Sequence, residues 1–169
     1  KQDEFDVGWC LYDGLFLEGE LLELLTLFEE GVRILIVQDN SYFGAQDRDD
    51  TEIEQSARTL PQEIAWRTYM ANKDYYDSLH LKINKAPEIR ASIKYYAACQ
   101  DNQVAYENRY NGLFTSILKS NFNGGRVKAN YYQFFRSILH KLPPHQSPSF
   151  KEIGNPCAWF DQQKPFQIA

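Results

Sequence analysis

The stretch VRILIVQDNSYFGAQ, Val32 to Gln46, runs from an apolar segment of strand length into Asp39, Asn40, Ser41, Tyr42, Phe43 and Gly44. A hydroxyl at the tip of a buried strand is placed where a nucleophile is often found. A serine hydroxyl is only weakly acidic, and it attacks a carbonyl when a base within about 3 Å, oriented by a third group, takes its proton. The available bases are His80, His140 and His145. The sequence pattern puts His80 at the end of a long helix, His140 on an amphipathic helix and His145 in a Pro-rich turn. None is expected at a strand tip, so Ser41 is not expected to work as a nucleophile. Asp101 closes a second strand-like run, EIRASIKYYAACQD, so acids stand at both inner strand ends, at Asp39 and Asp101. In open α/β sheets ligands bind beyond the carboxyl ends of the strands. A site is expected there.

The elements that must place these residues follow from periodicity. From Leu15 the pattern turns helical, with Leu21, Leu24, Leu25 and Phe28 at i, i+3, i+4 and i+7. Glu18, Glu20 and Glu23 come early, where the helix dipole favours negative charge, and Gly31 supplies a stop. VRILIV has little polar alternation, as expected for a strand covered on both faces of a parallel sheet. Residues 45–60 are polar and charged and predict a surface loop, and Pro61 then opens a helix carrying Ile64, Ala65, Tyr69 and Tyr76 to about Leu81. Two more helices are expected, Gly112 to Lys119 and Asn130 to Lys141. In the second, Asn130 and Gln133 form a capping pair, and Phe135, Ile138, Leu139 and Leu142 form the buried stripe. LPPHQSPSF ends that helix, and the aromatic tail NPCAWFDQQKPFQIA is expected to pack back as an edge strand.

At 169 residues, 43% of them hydrophobic and 15% aromatic, the chain reads as one α/β domain over 1–169. The formal charge of -5, with no segment of clustered Lys and Arg, argues against a nucleic-acid or anionic-membrane surface. Cys10, Cys99 and Cys157 are odd in number and lack CxxC spacing, so neither a disulfide framework nor a zinc site is indicated. Three buried or half-buried thiols in a reducing cytoplasm are expected instead. No signal-peptide pattern and no apolar run of about 18 residues is present, so neither secretion nor membrane spanning is indicated. No cofactor or metal is called for by the residues. The sequence opens at Lys1 without Met and reads as a fragment.

Taken in order, WCLYDG (Trp9 to Gly14), FEEGVRILIV (Phe28 to Val37), QDNSYFG (Gln38 to Gly44), ACQDNQVAYE (Ala98 to Glu107), NGLFTSIL (Asn111 to Leu118), LPPHQSP and FDQQKPFQI resemble the caspase-like cysteine peptidases, specifically the bacterial metacaspases or orthocaspases. The resemblance spans nearly the whole chain. It implies a caspase-like three-layer sandwich around a mostly parallel sheet, with the N-terminal strands and the family's catalytic His lying before Lys1. It aligns Ser41 with the nucleophilic Cys. It also places Asp39 and Asp101 in the pocket that receives an Arg or Lys side chain, where carboxylates form charge-assisted bonds to a guanidinium.

A Cys-His pair works because the thiol ionises near neutral pH, and replacing sulfur by a hydroxyl at such a site removes most activity. Phe43 stands where the family places Ser or Ala, and is expected to crowd or cover the site. The implied function is a caspase-like pseudopeptidase, a peptide-binding or regulatory module for partners bearing Arg or Lys. The alternatives are an Arg/Lys-specific cysteine endopeptidase carrying a Cys-to-Ser change at Ser41, and a serine-dependent hydrolase. Calcium regulates some relatives, but no ligand set for it is readable here. The apolar Val32 to Val37 strand needs neighbours on both sides, so an upstream segment or a separate chain is expected to complete the sheet.

Overall fold

A computed structural model of the chain describes residues 8–41, 62–80, 88–100, 103–107 and 110–167. Strands β1 (Gly8–Cys10) and β2 (Leu15–Leu17) form an antiparallel hairpin. Helix α1 (Glu18–Leu25) then leads to β3 (Arg33–Gln38). Helices α2 (Gln62–Ala71) and α3 (Lys73–His80) precede β4 (Ser92–Ala97), followed by α4 (Leu113–Phe122), α5 (Tyr131–Leu139), β5 (Ser149–Gly154) and α6 (Ala158–Gln162). The fold is mixed α/β.

In the larger sheet β4 is central, parallel to β3 and antiparallel to β5. One of its two pairings is parallel and the other antiparallel, so the sheet formed by the described residues is mixed. The cause is topological. Two helices, α4 and α5, separate β4 from β5, so the chain returns to the end of the sheet it left and β5 must run downward. Alternation sends Ile34, Ile36, Ile93 and Ile153 to one face, where they meet Leu21, Leu22 and Leu25 of α1. The opposite face sends Leu35, Tyr96 and Phe150 into a core with Phe114, Phe134, Phe135, Ile138 and Phe160 from α4, α5 and α6.

Several local expectations are corrected. The helical pattern from Leu15 begins three residues later. Leu15–Leu17 pairs with β1, and the Glu20 carboxylate caps α1 by accepting the Leu17 N–H at 2.9 Å. The helix expected from Pro61 to Leu81 is two helices, broken at Asn72, whose side-chain amide donates back to the Thr68 carbonyl at 2.9 Å. The edge strand lies at Ser149–Gly154, and the following tail forms α6, with Phe160 buried against Tyr131. Cys10, at the end of the small hairpin, is exposed. In α5 the Asn130/Gln133 capping box forms as expected, with the Gln133 N–H donating to Asn130 Oδ1 at 2.9 Å. Leu139 faces out, and Phe134 takes its place in the core. Among the described residues no helix is long and apolar enough to cross a membrane, and no strand pairs with the outer edge of β3.

Candidate functional site

The tips of β3 and β4 stand side by side, joined by the Ala98 N–H donating to the Gln38 carbonyl at 2.8 Å. Ser41 sits just beyond β3. Its Oγ accepts the Ala105 N–H at 2.9 Å and lies 3.4 Å from the Ala105 carbonyl oxygen, to which it donates. The hydroxyl is therefore engaged through both its lone pair and its proton by one backbone residue of the segment after β4. Among the described residues no histidine is hydrogen-bonded to Ser41. His145 packs edge-on against Tyr106 with centroids 5.1 Å apart, and His140 caps the exposed end of α5. The His80 side chain, Tyr42, Phe43, Asp101 and the 45–60 loop lie outside the described residues.

Asp39 is placed by the strand end against the start of α4. The helix N-cap is Gly112, which has no side chain to offer, and Asp39 supplies the missing acceptor from across the fold. Its Oδ2 accepts the Thr115 N–H at 3.1 Å and the Thr115 hydroxyl at 2.5 Å. A carboxylate here satisfies one of the helix's first-turn donors and favours its dipole. A Cβ added at Gly112 would be driven into that carboxylate. Asp39→Ala is therefore expected to cost about 1–2 kcal/mol of stability, and Gly112→Ala about 2 kcal/mol or more. In a urea-unfolding double-mutant cycle the pair should cost clearly less than the sum, because removing the carboxylate removes the clash.

The loops around the tip are stitched by glutamines that periodicity does not single out. Gln146, fully buried, accepts the Tyr106 N–H at 3.0 Å and donates to the Ala98 carbonyl at 3.1 Å. Gln103 Oε1 accepts the Ser147 N–H at 2.6 Å. The Cys99 thiol lies 3.3 Å from the Gln103 carbonyl oxygen and 3.6 Å from that of Asn40. An amide in a turn such as LPPHQSP gives no pattern from which such a role could be read. On the α1 face just below the tips a small open cleft of about 180 Å³ has Trp9, Gln38, Asn40, Tyr95 and Lys151 in its walls. Among the described residues no group of three His, Cys, Asp or Glu side chains could hold a metal ion.

No protein-family model matches the chain, and no curated protein matches it. Among solved structures, the chain is similar to protein GSU0716 from Geobacter sulfurreducens, a structural-genomics crystal structure, at 34% identity and a TM-score of 0.86. The likeness covers 100% of this chain, which spans 64% of the length of the Geobacter chain. It supports the α/β fold along the whole sequence and brings no chemistry with it.

Proposed function

We propose that this chain is a caspase-like domain of the metacaspase type that has lost peptidase chemistry and acts in the cytoplasm as a peptide-binding or regulatory module. The observation that carries this reading is the Ser41 hydroxyl, held at the nucleophile position between the N–H and the carbonyl of Ala105. A nucleophile must be free to meet a carbonyl and to hand its proton to a base; this hydroxyl is committed to the chain itself. The parallel β3–β4 pair with the motif at its carboxyl end supports the caspase-like form of the fold.

In this reading Asp39 and Asp101 receive an Arg or Lys side chain of the bound peptide. The Thr115 bonds fix the Asp39 carboxylate in one orientation, which lowers the cost of ordering it on binding. The small cleft beside the tips gives room for one further side chain of the bound peptide. The outer edge of β3 is covered by a further strand from an upstream segment or a separate chain.

The test is to restore sulfur. Ser41→Cys in the complete protein, assayed for cleavage after Arg or Lys, is expected to give no activity, and none when Phe43→Ser is added. Strong cleavage by the single variant would instead favour an Arg/Lys-specific cysteine endopeptidase with an exchanged nucleophile.

A further inference from the structure

The contact on Ser41 is made by the backbone of Ala105, not by a side chain, and the peptide group that follows Ala105 is held from behind. Ala105 is fully buried and Tyr106 nearly so. The Tyr106 N–H donates to Gln146 Oε1, and Gln146 Nε2 donates to the Ala98 carbonyl at the end of β4. One buried amide thus ties three segments together: the β4 tip, the 103–107 segment and the turn before β5. The Ala105 N–H and C=O, which belong to successive peptide groups, lie against the Ser41 Oγ.

We propose that Gln146 is a positioning residue that keeps the 103–107 segment seated on residue 41, so that the chain's own Ala105 backbone covers that side chain and limits access to it. An amide is needed at this place because the two buried backbone groups it serves are a donor and an acceptor. A carboxylate or an alkyl chain of the same size leaves at least one of them without a partner. Once either is left so, water must enter, and the segment lifts. The inference deepens the reading of Ser41 as a spent position and rests on that reading for its meaning. Its test measures access to residue 41, not cleavage, so the two can fail separately.

In the complete protein carrying Ser41→Cys, the rate of iodoacetamide alkylation at position 41 is followed by peptide mass mapping, with half-buried Cys157 in the aromatic core as the internal reference. Adding Gln146→Met is expected to raise the rate at position 41 by about tenfold or more while leaving Cys157 unchanged. No change at position 41, or a parallel rise at both thiols, overturns the proposal, the second because it reports general loosening. Gln146→Glu supplies a readout that a simple loss of packing does not give, and serves also if the Met variant does not fold. The introduced carboxylate cannot donate to Ala98, whereas its protonated form can. The alkylation rate of Gln146→Glu relative to Gln146, taken at each pH, should therefore fall toward one as the pH is lowered, burial having raised that carboxyl's titration. A ratio that does not change with pH overturns the proposal equally.

Discussion

Removing both carboxylates that hold Lys94, as Glu152→Ala with Asp161→Ala, is expected to destabilise the chain by about 3 kcal/mol, whereas Lys94→Met should cost little. Lys94 lies in the middle of the central strand with its side chain only 4% exposed, directed into the helical face of the sheet. Its Nζ reaches Glu152 of β5 at 2.5 Å and Asp161 of α6 at 2.7 Å, with the Phe160 ring 4.9 Å away. The two acids are 59% and 51% exposed, so water recovers much of their charge when the lysine is replaced by an apolar chain of similar length. The lysine has no such recourse. Taking away its partners leaves a buried ammonium with nothing to balance it, which is the costlier direction.

The same cluster sets an alkaline limit. Burial pushes the Lys94 ammonium down, but its hydrogen bonds to Asp161 and Glu152 outweigh that, and the net shift is upward from 10.5. A cation whose folded value is raised contributes stability that is fully present below the unfolded value and is lost as the pH climbs through the folded one. Tyr96, whose phenol donates to the Tyr131 carbonyl at 2.6 Å, is also pushed up by burial and weakens the fold in the same range. Urea unfolding from pH 8 to 11.5 should show stability falling in both the parent and Lys94→Met, with the steeper fall in the parent. Equal slopes would mean that the lysine is not linked to folding.

How far these features could be read in advance depends on whether the signal is local. The Asn130/Gln133 cap and the β3 run are written within a few residues, and the local pattern finds them, whereas the stop expected at Gly31 is not one, α1 ending at Leu25 with Thr26 as its cap. The three apolar residues Leu15–Leu17 fit a helical stripe as well as a strand. Only pairing with Gly8–Cys10 decides between them. Nothing near Lys94 in the sequence announces Glu152 or Asp161, 58 and 67 positions on. The site divides in the same way. The sequence gives reason to look at Ser41 and Asp39 as the ends of an apolar strand. That one is clasped by Ala105 and the other holds the start of α4 depends on contacts 64 and 76 positions distant.

The 169-residue chain alone is expected to associate with itself and to unfold without a single cooperative transition. β3 offers six residues, RILIVQ, with no Pro, bulge or central charge to discourage pairing, and among the described residues it is paired along one edge only. Most of its side chains are half-buried, and Val37 is 41% exposed, whereas a parallel strand of this composition is usually covered on both faces and both edges. A row of unmatched N–H and C=O groups beside exposed aliphatic surface is a template for another strand. If a strand from an upstream segment or another chain covers that edge in the complete protein, separating the two should expose it. Size-exclusion chromatography should then give species well above 19.8 kDa, and placing a charge on the edge with Val37→Lys should shift them toward monomer. A monomer that melts cooperatively would show that β3 needs no neighbour. The sheet would then end where β3 ends, and the pull of that strand toward a partner, which the apolar run Val32 to Val37 implies, would have to be met by side-chain cover from α1 and α6 instead.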